Sequence, residues 1–251
     1  MDYRRLTQEI VGWLQAKLRE AGARGFVVGL SGGVDSATTA ALCTRAAPGE
    51  VLGAWLPCHS VSEDEVYSQM AAEALGIPLT TVDLCPAYDA LIAALPKSDV
   101  RLAPDNLPAA NAKPRLRMTA LYYLAQANHY LVAGTGNRPE LMVGFFTKWG
   151  DGGVDLEPLG ELYKHEVRAL AQALGVPQPI IDRAPSPGLW PGQTDEGEMG
   201  ISYAALDAIL GAWDRGAEPD RPAEEIAKVT AMVTRSAHKR RMPPAFPVAR
   251  R

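Results

Sequence analysis

The sequence predicts an α/β fold, a doubly wound parallel sheet with helices on both faces. Two observations carry that prediction. Short apolar runs alternate with helix-length segments, and the first such run breaks into a loop of glycine and serine just before a helix. In order along the chain, Leu6, Ile10, Trp13, Leu14 and Leu18 stand at helical spacing, with Gly22 as a stop signal. Phe26 to Leu30 reads as the first strand, and Ala37 to Ala46, rich in Ala, Thr and Leu, as the helix behind the loop. The unit then repeats. Val51–Leu56 reads as a strand, and Ser62-Glu63-Asp64-Glu65 as a capping box opening a helix that runs to Gly76. Leu79–Leu84 is the next strand and Tyr88–Leu95 the next helix. The proline-rich stretch Pro96 to Pro114 reads as a surface connection. Arg115 to Asn128 is a helix, Tyr130–Ala133 a strand, and Leu162 to Leu174 a further helix.

Pro185 to Gly200 crowds proline, glycine and acidic residues around Trp190 and reads as a loop, functional or disordered at that length. Tyr203 to Thr234 reads as two helices separated by the turn Gly216–Pro222, and a basic end follows.

The composition narrows the function classes. The 251 residues are 47% hydrophobic and 22% charged, which excludes disordered, collagenous and coiled-coil chains. Lys and Arg number 25 against 29 Asp and Glu, a net charge of −4, so the global basic footprint of a nucleic-acid binder is missing. No apolar run approaches a membrane span, and the charged N-terminus lacks a signal-peptide core. Cys43, Cys58 and Cys85 form no CxxC pair and read as small buried hydrophobes in a reducing, cytoplasmic setting.

The sharpest chemical signal is the loop Ser31-Gly32-Gly33-Val34-Asp35-Ser36, entered through Gly29 and Leu30. Glycines admit a ligand close to the backbone, amides at a helix N-terminus attract phosphate, and the two serines add hydroxyl donors. Asp35 alone would repel phosphate, so its presence implies a bridging divalent cation. By chance such a loop arises at about 10⁻⁶ per window. It is neither a Walker A loop nor a dinucleotide GxGxxG fingerprint.

SGGxDS after a first parallel strand resembles the pyrophosphate loop of the ATP-pyrophosphatase superfamily, with its adenine nucleotide alpha hydrolase-like fold. That motif leaves amide formation, thiolation and other reactions open. The stretches Asn111–Met118, Gly134–Glu140, Gly144–Gly153 and Trp190–Glu196 together resemble the NAD synthetase family. The resemblance implies a single domain over 1–251 with a helical extension from about 200. It implies ATP-dependent amidation of deamido-NAD by ammonia, through an adenylated nicotinate carboxylate, with AMP and pyrophosphate released. No protein nucleophile is needed, so catalysis should rest on positioning and charge stabilisation.

Carried over residue by residue, the resemblance assigns Asp35 and Glu140 to Mg2+, and Asp35, Glu140 and Lys164 to catalysis. It assigns residues 29–36, Thr135, Lys164 and Ser186 to ATP, Ser186 standing where some relatives have Thr. Arg115, Lys148, Asp155, His238 and Lys239 fall to deamido-NAD, although the last two also read as a frayed basic tail. Pro114 restricts Lys113 to extended geometry and suits the start of the helix carrying Arg115. The Pro185–Gly200 loop is expected to act as a lid that keeps water from the adenylate. With no glutaminase segment ahead of the first helix, the expected nitrogen source is free ammonia, or ammonia received from another protein. The resemblance also implies a homodimer.

Overall fold

The structure, a computed structural model, describes residues 1–95, 107–186, 188 and 192–248. Four parallel strands form its sheet: β1 (Gly25–Gly29), β2 (Val51–Trp55), β3 (Leu79–Thr81) and β4 (Tyr130–Ala133), in the order β3-β2-β1-β4. Phe26 stands opposite Val51 on one side and Leu131 on the other. The chain moves outward from β1 through β2 to β3, then returns to the far side of β1 as β4. The connections therefore diverge between the C-terminal ends of β1 and β4, which is where open parallel sheets leave a crevice.

Alternation along the strands feeds two helical layers. Phe26, Val28 and Val51 pack with residues of α1 (Tyr3–Ala21), α2 (Val34–Ala46) and α8 (Lys164–Leu174). Val27, Ala54 and Val132 pack on the other face with α4 (Cys85–Ala94) and α6 (Ala112–Asn128). Leu14, Leu42, Leu159 and Leu170 are fully buried, each contributing about 1.5–3 kcal/mol. Ala37, Ala40 and Ala41 let α2 lie close to the sheet. Beyond α8, α11 (Tyr203–Asp214) and α12 (Ala223–Ser236) build a second cluster around Leu206, Ile209 and Val229. Its partner is α7 (Arg138–Val143). No helix among the described residues is long and apolar enough to cross a membrane.

Several local expectations are corrected. α3 spans Ser62–Leu75 with Val61 at the cap and no side-chain capping bond, so the expected box at Ser62 does not form. Its first turn instead concentrates Glu63, Asp64 and Glu65 at the positive end of the helix dipole. β3 stops at Thr81 rather than Leu84, because the Asp83 carboxylate accepts from the Cys85 N–H at 2.9 Å and turns the chain into α4. The connection expected to extend to Pro114 is already helical at α5 (Leu107–Ala110) and from Ala112; its part at 96–106 lies outside the described residues. Lys113 is helical, not extended, because Pro114 sits in the first turn, where no intrahelical N–H donor is required. Cys43 and Cys58 are buried as expected, but Cys85 is half-buried, and its Sγ accepts from the His59 N–H.

Within 185–200 a one-turn helix, α10 (Asp195–Met199), replaces the expected loop. Thr194 caps it by accepting from the Gly197 N–H, and Gly200 ends it at φ +63°. The remaining short helices, α7 and α9 (Gln178–Asp182), are too brief to show apolar periodicity.

Candidate functional site

A cavity of about 510 Å³ opens at the divergence between β1 and β4. One wall is the glycine-serine loop, with Gly29, Leu30, Ser31, Gly33, Val34, Asp35 and Ser36 all lining it. Gly32 turns the loop at φ +78°, where a Cβ would stand 2.8 Å from Tyr67 Cβ and 2.9 Å from the Asp64 carbonyl oxygen. Gly33 caps α2 without a side-chain acceptor, so the helix N-terminus faces the cavity uncovered. Ser36 stiffens the loop by donating to the Gly33 carbonyl at 2.9 Å, and its oxygen accepts from the Ser31 N–H at 3.3 Å.

The opposite wall begins where β4 runs into Gly134-Thr135-Gly136. A Cβ at Gly134 would stand 2.3 Å from Glu157 Oε2, so this carboxylate occupies the space a side chain would need. Asn137 then caps α7 through a reciprocal box with Glu140. The same Asn137 reaches across the sheet, its Nδ2 donating to Asp35 Oδ1 at 3.0 Å. One side chain thereby ties the two strand ends together.

Lys164 completes the centre. It opens α8, is 2% exposed, and places its ammonium 2.6 Å from Asp35 Oδ2 and 3.1 Å from Glu140 Oε1. Tyr203 OH lies 2.6 Å from Glu140 Oε1 and 2.5 Å from Asp195 Oδ2, with the Lys164 ammonium over its ring. Two carboxylates, Asp35 and Glu140, thus share one buried ammonium, and Asp195 joins them through the Tyr203 hydroxyl. Burial pushes Glu140 above the usual carboxylate range and Asp195 up to about 7. Burial works against the charge on Lys164, but Asp35 and Glu140 outweigh it and hold the ammonium firmly protonated. Glu157, half-buried and accepting from the Gly136 N–H, is pushed up to about 8 by desolvation. The centre is short of positive charge and rich in hard oxygen donors.

The other expected residues divide. Thr135, Ser186 and Lys239 line the cavity with the glycine-serine loop. Ser186 Oγ donates to the Gln193 carbonyl at 2.7 Å. Arg115, Lys148 and His238 form a chain just outside the lining: Arg115 donates to the Lys148 carbonyl at 3.2 Å, and Lys148 Nζ to the His238 carbonyl at 2.8 Å. Asp155 is exposed and also outside the lining, accepting from Tyr122 OH and from the Val132 N–H. The basic end is no frayed tail through Arg240. Lys239 Nζ donates to the Gly144 and Phe146 carbonyls at 2.7 Å, and Arg240 caps the end of α7 through the Leu141 and Met142 carbonyls. Gly144 is obligatory here, since a Cβ would stand 2.1 Å from Ser236 Cβ. Trp190 and the other residues at 187 and 189–191, to which the lid expectation partly refers, lie outside the described residues.

Sequence reasoning missed Asn137, Asp195 and Tyr203 as members of the centre, along with Arg117 and the pair Asp64–Arg183 on the cavity wall. Asn137 and Asp195 stand inside stretches singled out in the sequence, so a signal existed. Tyr203 offered none, because a tyrosine opening an amphipathic helix reads as core.

The chain is similar to known proteins over nearly its whole length. The family model for NAD synthase matches residues 6–243. An NH(3)-dependent NAD(+) synthetase of Carboxydothermus hydrogenoformans is 49% identical over 243 residues, covering 97% of each chain. The protein of the same name from Methanosarcina acetivorans is 41% identical over 97% of this chain and 98% of its own. Among solved structures, an NMN synthetase from Francisella tularensis superposes with a TM-score of 0.89 at 36% identity, covering 99% of this chain and all of that one. An NH3-dependent NAD synthetase from Campylobacter jejuni superposes with a TM-score of 0.82 at 27% identity, covering 98% of this chain and all of that one.

Proposed function

The chain belongs to the NAD synthase family, and on that premise we propose that its cleft amidates deamido-NAD to NAD with ammonia and ATP. The enzyme is a ligase forming a C–N bond. The nicotinate carboxylate attacks the α-phosphate of ATP, the bond to the β-phosphate breaks and pyrophosphate leaves. Ammonia then adds to the acyl carbon, and the C–O bond to AMP breaks. The observation that carries the residue assignments is the Asp35–Lys164–Glu140 centre held against the glycine-serine loop.

Each residue has a task that follows from its position. The uncovered α2 N-terminus and the hydroxyls of Ser31 and Ser36 receive the β- and γ-phosphates. Lys164 carries a fixed positive charge to the point where negative charge grows on the leaving pyrophosphate. Thr135 and Ser186 present hydroxyls from the facing walls to the rest of ATP. The oxygen-only donor set of Asp35 and Glu140, two carboxylates on one ammonium, fits magnesium, which takes one or two carboxylates beside substrate phosphates. Bound there, the ion would supply charge neutralisation for the triphosphate. Lys239 borders the cavity, and Lys148, Arg115, His238 and Asp155 stand beyond it, a spread that suits an extended dinucleotide. The chain as one domain with its helical extension, a cytoplasmic location and a homodimer complete the proposal on the family likeness.

The test supplies ATP, magnesium and deamido-NAD, with ammonium or glutamine in separate reactions, and measures NAD, AMP and pyrophosphate. Equal amounts of all three with ammonium alone are expected. Nicotinate mononucleotide replaces deamido-NAD in a parallel reaction, and preferential amidation there would overturn the choice of acceptor. Absence of ATP cleavage under every condition would overturn the reaction itself.

A further inference from the structure

On the cavity wall beside the glycine-serine loop, Arg183 and Asp64 form an ion pair, Nη2 to Oδ1 at 2.5 Å, with side chains 21% and 12% exposed. The guanidinium sits between an aromatic ring and the loop. It lies over the Tyr67 ring at 4.6 Å, and its Nη1 comes within 3.1 Å of the place a Cβ would take on Gly32. Arg183 therefore rests against the loop that receives phosphate, on the backbone face where glycine leaves room. Among the described residues Asp64 takes the only hydrogen bond Arg183 donates, leaving most of its donors free. Asp64 is a puzzling neighbour for a phosphate loop, since its charge opposes the anion the loop attracts. Here its charge is met by the Arg183 guanidinium.

We infer that Arg183 is a further phosphate-binding residue: Asp64 pairs with its guanidinium, and the pyrophosphate end of the nucleotide competes with that carboxylate for it. The inference rests on the proposed ATP cleavage and extends it to release of the product. Guanidinium and phosphate match bidentately, so the phosphate competes well for the donors that Asp64 engages through one bond. The carboxylate then acts as the competitor that limits how tightly pyrophosphate stays. A paired cation trades binding strength for release.

Binding of inorganic pyrophosphate, supplied with magnesium, is measured by calorimetry on the unaltered protein and on Arg183→Ala, Arg183→Lys and Asp64→Asn. Arg183→Ala is expected to weaken binding about tenfold, the loss of one charge-assisted pairing, and Arg183→Lys to fall between. Asp64→Asn is expected to tighten binding several-fold, because the guanidinium no longer has a carboxylate to return to. A merely structural ion pair would make both partners' variants shift binding in the same direction. Asp64→Asn binding no tighter than the unaltered protein overturns the inference, as does Arg183→Ala binding equally well. Should Arg183→Ala fail to fold, Arg183→Lys and Asp64→Asn still decide the sign. NAD formation by the unaltered protein is assayed alongside, so failure of the reaction is seen separately from failure of the paired cation.

Discussion

Replacing Asp195 with Asn is expected to flatten the pH dependence of stability. Asp195 is 6% exposed, lies 2.5 Å from Tyr203 OH, and is lifted from 3.8 to about 7 by burial and then by neighbouring carboxylates. The native chain thus keeps a proton on Asp195 over a range in which the unfolded chain has released it. Because the native state binds more protons there, stability falls as pH rises through that window. At about 1.4 kcal/mol per unit, the span from pH 5 to about 7 removes about 3 kcal/mol, and the loss is complete above it. The amide of Asp195→Asn keeps the shape and stays neutral throughout. The assay is urea unfolding of both proteins at pH 5 and pH 8.5, without nucleotide or divalent metal. Glu157 and Glu140 titrate in both proteins, so the difference between them isolates Asp195 to first order. The variant should lose about 3 kcal/mol less between the two pH values. An equal pH slope in the two proteins would refute the burial argument.

Further outcomes follow from the same geometry. Lys164→Met leaves Asp35 and Glu140 facing each other without a cation; unfolding free energy should drop by about 3–5 kcal/mol, with pyrophosphate release reduced at least ~100-fold. A variant as stable and as active as its parent would remove Lys164 from the centre. Asp35→Ala and Glu140→Ala should each abolish pyrophosphate release while far-ultraviolet circular dichroism stays native, and full activity in either would sink its assignment. Gly134→Ala drives a methyl to 2.3 Å from Glu157 Oε2 and should cost about 1–3 kcal/mol in urea. Adding Glu157→Ala should return part of that loss, and no recovery would locate the clash elsewhere. Lys148→Ala should raise the KM for deamido-NAD more than that for ATP, and an unchanged KM would contradict its role.

The sheet was legible because the residues that pair also alternate or cluster as apolar runs. Tyr130–Ala133 falls where the pattern puts it, and the glycine-serine loop lines the cavity. Boundaries slipped where a single side chain redirects the backbone, as at Asp83 before α4, or where caps rather than periodicity make a helix, as at Thr194 and Gly200 around α10. The centre was half legible. Asp35, Glu140 and Lys164 came through the resemblance, while Asn137 and Tyr203 matter because of contacts across 102 and 63 residues of chain. Such contacts leave no periodic mark. Arg183 and Asp64 were hidden for the same reason, being 119 residues apart and ordinary at their own positions.

The ties from Ser236, Lys239 and Arg240 to the stretch 141–146 bear on how the molecule comes off the ribosome. The four strands and the glycine-serine loop lie within residues 25–133, so the whole sheet has been synthesised while the last helices are still to be made. Gly144 and Phe146 acquire their donor only when Lys239 has emerged, 95 and 93 residues later. Synthesis therefore completes the wall at Gly144 and Phe146 last, well after the final strand of the sheet has been made.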